Sequence, residues 1–141
     1  MLMNSNEYLS IVESIKKEIR TAQYRATVRV NRELLMLYHS IGDIINKHKT
    51  WGNKFIENLA ADIKLSFPDA TGYSVRNLKY MAKFAAAYPS SEFVQQAVAQ
   101  IPWGHNVVLL DKLSHHEERL WYAEKVSENG WSRNVLVHQI E

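Results

Sequence analysis

Four residues near the middle of the chain combine positive charge with an aromatic ring at helical spacing. They are Arg76, Lys79, Tyr80 and Lys83, which occupy positions i, i+3, i+4 and i+7 of one helix face. Cations in such a row can neutralise phosphates of a nucleic acid, while Asn77 or Arg76 reaches base edges from the N-terminal end of the helix. A solvated or protein-contacting basic face is the alternative interpretation of the same row.

A second basic row lies nearer the N-terminus. Arg25, Arg29 and Arg32 occupy positions i, i+4 and i+7, which is again the spacing of one helix face. We expect this row to support DNA binding by following the phosphates of the backbone. Pairing with acidic neighbours such as Glu33 is the ordinary alternative.

Charge is unevenly distributed along the chain, although the net charge is only +2. Residues 1–89 contain 13 Lys and Arg against 8 Asp and Glu, whereas residues 90–141 contain 4 against 7. A basic front half is a weak indication of a polyanionic partner such as DNA. Chance asymmetry of solvated faces explains the same distribution equally well.

Residue patterns for enzyme chemistry are missing from the sequence. No two of the six histidines lie at i and i+4 together with a glutamate, as a helical zinc site would require. The five glycines form no phosphate-binding loop, and no serine has the surroundings of a nucleophile elbow. The triplet Asp62-Ile63-Lys64 falls on a predicted helix and not on the strand of a metal-dependent nuclease core. We therefore predict no catalysis, no metal or other cofactor, and no small-molecule substrate.

Composition limits the class of protein further. The 141 residues are 46% hydrophobic and 23% charged, which is enough to bury the core of one compact domain. The absence of cysteine excludes disulfides and fits a reducing cytoplasm. No apolar stretch approaches the roughly 20 residues that span a bilayer, and the N-terminus has no export signal. We expect a cytoplasmic domain that does not contact membranes.

The elements that would hold these residues are all predicted to be helical. Over the first third of the chain, apolar residues recur every three or four positions without an intervening proline. This periodicity is compatible with one helix over about 7–48, or with two helices broken near Asn31 or Gly42. We favour an early break or bend.

Four aromatic residues each precede a Gly or Ser, and such pairs are typical of a helix start. The pairs are Trp51-Gly52, Tyr73-Ser74, Trp103-Gly104 and Trp131-Ser132. With the Gly or Ser as the cap, the fourth helical residue is aliphatic in every case, which is the hydrophobic-staple pattern. Helix ends are predicted at Phe67-Pro68, Tyr88-Pro89 and Asn129-Gly130. The predicted helices lie near 7–48, 53–66, 75–88, 92–100, 105–113, 115–128 and 133–140.

The helices over 53–88 form the unit that would present the first basic row. Their connection, residues 67–73, is longer than the three or four residues of a standard helix-turn-helix. The side of the second helix opposite the basic row is predicted to face the core through Leu78, Met81, Ala82 and Ala85. Trp121, in a later helix, is also expected to face the core.

The predicted fold is therefore all-α, a multi-helix domain with a long N-terminal helix or helical hairpin. It forms one domain over residues 1–141. Within that domain we expect a long helical segment at 1–50, a helix-turn-helix-like unit at 51–89, and C-terminal helices at 90–141.

Several blocks of the sequence are distinctive. They are Gly72-Tyr73-Ser74-Val75-Arg76-Asn77-Leu78 with Met81 and Phe84, Gln100-Ile101-Pro102-Trp103-Gly104-His105-Asn106, Arg119-Leu120-Trp121-Tyr122, and Gly130-Trp131-Ser132-Arg133. Together they resemble the N-terminal domain of the YhcG-like nucleases, over nearly the whole chain. The upstream segments Asn31-Arg32-Glu33-Leu34-Leu35 and Tyr38 with Ile41-Gly42 fit the same family.

The resemblance implies an all-helical, helix-turn-helix-like domain that is associated with DNA. In that family it precedes a nuclease domain of the PD-(D/E)XK type, and we expect this chain to lack that cutting domain. The resemblance carries Arg76 and Asn77 over as contacts with DNA. His105, which we expect to lie exposed at the first position of a helix, is a further candidate contact.

The function that these observations favour is a non-catalytic DNA-binding module that positions a nuclease. The competing hypothesis is a protein-interaction or dimerisation domain with no direct DNA contact. A homodimer would use a seam on the first helical segment, through Leu9, Val12, Ile19 and Leu34. Binding to DNA that weakens steeply with salt would separate the two hypotheses.

Overall fold

The structure is a computed structural model that describes residues 5–90 and 98–141. The described residues form six α-helices, numbered in chain order: α1 (Ser5–Lys47), α2 (Gly52–Ser66), α3 (Val75–Ala87), α4 (Trp103–Lys112), α5 (His116–Asn129) and α6 (Arg133–Ile140). Short 3₁₀ turns occupy Lys49–Trp51 and Val98–Gln100. The described ranges contain no strand, so the all-α prediction is confirmed. Most of the helix predicted near 92–100 lies outside the described residues.

Helix α1 is continuous from Ser5 to Lys47, so the early break or bend that we favoured near Asn31 or Gly42 is wrong. The glycine has a packing role instead. A Cβ atom at Gly42 would lie 2.0 Å from the carbonyl oxygen of Met81 in α3. Gly42 therefore allows the two helix backbones to approach closely, and the helix tolerates the small loss of helical propensity.

The chain divides into two compact units, residues 1–30 and residues 31–141. In the first unit, the described residues 5–30 belong to α1, and none of them is buried. In the second unit lie all the buried residues of the described chain, from Leu35 to Leu136. The organisation as one domain over 1–141 stays a prediction. No described helix combines the length and the apolar character that crossing a bilayer requires.

The core of the second unit consists of two clusters of buried side chains. The larger core cluster contains Leu35, Phe84, Tyr88, Val98, Ala99, Ile101, Leu109, Leu110, Ala123, Val126 and Leu136. The smaller core cluster contains Tyr38, Ile45, Leu78 and Met81. Half-buried Trp103 packs against both. Because α3 contributes to both clusters, its position is fixed from two sides.

The inward face of α3 is the one that the sequence predicts. Leu78, Met81 and Ala85 are buried, and Ala82 is half-buried. Phe84 completes this face, since its side chain is fully buried in the larger core cluster. The opposite face of the helix is thereby left to the basic row.

The predicted helix caps are confirmed at two of the four starts. Ser74 Oγ accepts a hydrogen bond of 3.1 Å from the Asn77 backbone N–H, and Ser132 Oγ accepts one of 3.2 Å from that of Val135. At the other two starts the prediction is wrong, because α2 already begins at Gly52 and α4 at Trp103. Pro102, which precedes α4, makes no side-chain cap.

The four tryptophans differ in burial. Trp103 and Trp131 are half-buried and pack on the core, whereas Trp51 and Trp121 are 60% and 52% exposed. The prediction that Trp121 faces the core is wrong, because Ala123 and Val126 are the buried residues of α5. A residue two positions from Ala123 lies on the other side of a helix.

Candidate nucleic-acid interface

The outward face of α3 borders an open cleft, the basic cleft. It has a volume of about 580 Å³ and is lined by Val75, Arg76, Lys79, Tyr80, Lys83 and Asp111. The three cations are exposed, and Tyr80 is half-buried. In the described part of the chain, no carboxylate forms an ion pair with any of the three. Their positive charges are therefore available to an external anion.

Tyr80, which lines the basic cleft, connects two helices there. Its hydroxyl donates to the carboxylate of Asp111 in α4, at 2.9 Å from each carboxylate oxygen. The Arg76 guanidinium carbon lies 5.3 Å from the centroid of the Tyr80 ring, within the range of a cation–π contact. Tyr80 thus links α3 to α4 and holds Arg76 close to the helix surface.

Asn77 is half-buried, whereas a side chain that contacts the edges of DNA bases should be exposed. Its Nδ2 donates to the Gly72 carbonyl at 2.5 Å, and its Oδ1 accepts from Trp103 Nε1 at 2.8 Å. Both polar atoms of the amide have partners within the fold, which favours a structural role over the predicted contact with bases.

An aromatic group beneath this joint supports Trp103. The Trp103 ring makes edge contacts with Tyr38 and Phe84, with centroids 4.9 and 5.2 Å apart. The Tyr38 hydroxyl lies 2.6 Å from the position that a Cβ atom would take at Gly72, where φ is +95°. Burial raises the pKa of Tyr38, with a smaller contribution from Tyr73, so its hydroxyl stays neutral at ordinary pH.

His105 does not lie exposed at the first position of a helix, so that expectation is wrong. It is the third residue of α4 and is half-buried. Its Nε2 is 2.8 Å from the carbonyl oxygen of Trp131, to which the protonated ring nitrogen donates. This bond connects α4 to the segment before α6. It explains by packing why His105 is half-buried, which the sequence did not predict.

The second basic row is not uniform. Arg25 and Arg29, in the first unit, are exposed, but Arg32, in the second unit, is half-buried. The Nε atom of Arg32 is buried, and the described residues offer it no hydrogen-bond partner. Neighbouring Asn31 is also turned into the fold, where its Nδ2 donates to the carbonyls of Ala99 and Ile101. Arg25 and Arg29 are therefore the members of this row that solvent reaches.

The sequence prediction missed a second cleft, which we call the arginine pocket. It has a volume of about 350 Å³, and its lining includes Ser74, Arg76, Tyr80, Trp103, Gly104 and Arg133. Three of the four aromatic–Gly/Ser pairs lie at this pocket. Ser74 and the pair Trp103-Gly104 line it, and the pair Trp131-Ser132 directly precedes Arg133. Arg133, the first residue of α6, was not a predicted site residue. The sequence repeats one helix-start pattern at these positions, but the pattern does not show that the helix starts lie close together in the fold.

The described residues bring no three His, Asp or Glu side chains together as a metal site would need. A family model described as the DUF1016 N-terminal domain matches residues 14–141, which includes both clefts. No curated protein and no solved structure matches the chain.

Proposed function

The chain belongs to the DUF1016 N-terminal domain family, and on that premise we propose that it is a non-catalytic DNA-binding module that positions a nuclease. The nuclease part of the proposal is supported by the resemblance of its sequence blocks to the YhcG-like nucleases. The DNA part is supported by the exposed cations of α3. A cytoplasmic location, where DNA is accessible, belongs to the same proposal.

One observation carries the proposal: Arg76, Lys79 and Lys83 are exposed along a single helix and form no ion pair within the described residues. A helix rises about 1.5 Å per residue, so the row extends over about 10 Å. One strand of duplex DNA presents a phosphate about every 3.4 Å along the axis. The row is therefore long enough to meet about three phosphates.

Asp111 moderates this positive field without cancelling it. It is the one acidic residue in the described lining of the basic cleft, and the Tyr80 hydroxyl donates to it. A carboxylate beside a phosphate row repels a misplaced phosphate, so we assign Asp111 to setting the position of the backbone along α3.

The salt dependence of binding follows from the number of phosphates met. Three contacts give a slope of about −2.7 for the logarithm of the binding constant against the logarithm of salt concentration. Affinity should then fall about 40-fold between 50 and 200 mM salt. Loss of two of the three contacts should reduce that fall to about 3.5-fold.

The experiment titrates labelled duplex, branched and single-stranded DNA with the full chain at both salt concentrations. The test variant is Lys79→Ala/Lys83→Ala, and the matched control is Lys49→Ala/Lys54→Ala, which removes two exposed lysines outside α3. We expect the test variant to lose affinity and salt dependence while the control stays within about twofold of the unmodified chain. Absence of binding to every DNA, or equal binding by both variants, would overturn the proposal.

A second candidate function is self-association, and a pattern in the first unit favours it. Val12, Ile19 and Ala26 are seven residues apart, as are Tyr8, Ile15 and Ala22, which is the heptad repeat of a coiled-coil seam. Ile15 and Ile19 are each 51% exposed, an unusual state for large aliphatic side chains at such spacing. A dimer in sedimentation equilibrium would support this function, and a monomer at high concentration would contradict it.

One of the residues predicted for the dimer seam is removed from it. Leu9 is 57% exposed and flanks the heptad positions, so it stays a candidate. Leu34 is half-buried and packs against the smaller core cluster of the second unit. Leu34 therefore stabilises its own unit, and we remove it from the seam.

A further inference from the structure

The arginine pocket differs from the basic cleft in the residues that line it. Arg76 and Arg133 contribute to its lining, and its described lining contains no carboxylate. Neither arginine forms an ion pair with any described acidic residue. A concave site with two guanidinium groups that form no ion pair is suited to an anion that carries more than one charge.

The Arg133 side chain lies against the backbone at Gly104. Its guanidinium Nη1 is 3.6 Å from the position that a Cβ atom would take at Gly104. Because Gly104 has no side chain, Arg133 can lie close to the backbone at the start of α4. Pro102 supplies no side-chain cap there, whereas Ser74 and Ser132 cap α3 and α6. The field at this end of α4 adds to the charge of the two arginines.

We propose that the arginine pocket binds a phosphate monoester, held between the guanidinium groups of Arg76 and Arg133. A monoester carries up to two negative charges, which match the two arginines better than the single charge of an internal DNA phosphate. The volume of about 350 Å³ lies at the lower end of the range of small-ligand pockets and suits one nucleotide. The monoester can belong to the 5′ end of a DNA strand or to a free nucleotide.

The inference rests on the proposed function where the monoester is a DNA end. Arg76 and Tyr80 line both clefts, so a strand along α3 leads directly into the arginine pocket. In that arrangement Lys79 and Lys83 contact internal phosphates, and Arg133 contacts only the terminal one. The geometry therefore predicts recognition of a 5′-phosphorylated end by a residue that internal DNA does not require.

The test compares two duplexes of one sequence, with a 5′ phosphate or a 5′ hydroxyl, in titrations of the full chain. A third arm compares thymidine 5′-monophosphate with thymidine. The test variant is Arg133→Gln, and the matched control is Arg20→Gln, another exposed arginine on a helix. Thermal unfolding of each variant verifies that the fold is retained.

We expect the unmodified chain and Arg20→Gln to prefer the 5′-phosphorylated duplex by about tenfold, and Arg133→Gln to lose that preference. Lys79→Ala/Lys83→Ala should weaken binding of both duplexes equally and keep the preference. Binding of the monophosphate but not of thymidine, with loss in Arg133→Gln, would assign the pocket to a free nucleotide even if DNA binding fails. Absence of both the end preference and monophosphate binding would overturn the inference.

Discussion

Asn77 shows how one side chain can hold the site together from inside. Its amide connects the Gly72 carbonyl, in the connection before α3, with the indole N–H of Trp103 at the start of α4. Residues of both segments line the arginine pocket. Asn77 therefore fixes these two segments to each other.

Replacement of Asn77 by alanine should therefore reduce stability and leave DNA affinity nearly unchanged. Two partly buried partners, the Gly72 carbonyl and the Trp103 indole, lose their bonds, which costs about 1–3 kcal/mol in the free energy of unfolding. Urea unfolding measures this loss, and titration with duplex DNA under folding conditions should show a change below about twofold. The exposed Asn53→Ala is the control, and its stability should stay the same. A large loss of affinity at full stability would instead make Asn77 a direct DNA contact.

The exposure of the cations on α3 could be predicted from the sequence, whereas the bonding partners of two polar side chains could not. The exposure of Arg76, Lys79 and Lys83 follows from the helical period, because the buried residues of α3 lie on the opposite face. The partners of Asn77 and His105 do not follow, since both residues bond to segments about 26 positions away along the chain. Local spacing carries no information on which distant carbonyl or indole a polar side chain will meet.

At the scale of the elements, helix ends were predicted best where a side chain or a backbone conformation enforces them. Ser74 and Ser132 cap their helices, and Gly130 ends α5 in the left-handed conformation at φ 63°. Gly52 and Gly104 were predicted as caps from the same hydrophobic-staple pattern as the two serines, but both lie within helices. Glycine is accepted in several backbone states, so its presence does not identify one of them.

Gly42 is the position where the elements depend most on a missing side chain. In Gly42→Ala the new Cβ atom would lie 2.0 Å from the Met81 carbonyl oxygen, which belongs to a helix backbone that cannot turn away. Alanine favours a helix by about 1 kcal/mol over glycine, but overpacking of this kind costs about 1–3 kcal/mol or more.

We therefore expect Gly42→Ala to lower the free energy of unfolding by about 2 kcal/mol, measured by urea denaturation. Ser40→Ala, at an exposed position of the same helix, is the control and should change stability by less than about 0.5 kcal/mol. A Gly42→Ala chain as stable as the unmodified one would mean that α1 and α3 do not approach as closely as described.

At the scale of the whole molecule, burial is confined to the second unit. Every buried residue of the described chain lies between Leu35 and Leu136, while residues 5–30 bury none. Apolar burial is the main source of folding free energy, so the first unit contributes little to it. Its exposed aliphatic side chains are available for contacts outside their own unit. Periodicity predicted this helix, but it could not show that a core covers one part of the helix and leaves the other exposed.

Deletion of residues 1–30 should therefore separate folding from self-association. A chain of residues 31–141 retains both core clusters and the two clefts, so we expect its free energy of unfolding to stay within about 1 kcal/mol of the full chain. Its affinity for duplex DNA should stay within about twofold of the full chain, because Arg76, Lys79 and Lys83 all lie in the second unit. The Ile15→Ser/Ile19→Ser variant of the full chain is the matched control, since it removes two large aliphatic side chains from the heptad positions without shortening the helix.

Sedimentation equilibrium and urea unfolding of the three chains then distinguish the outcomes. If the heptad positions join two copies, the full chain forms a dimer, and both the shortened chain and the double variant are monomers of unchanged core stability. If the shortened chain fails to unfold cooperatively, residues 1–30 contribute to the core, and the division of burial between the units is wrong. If the shortened chain remains a dimer, the contact between copies lies in the second unit, and the heptad positions of residues 5–30 are not the seam.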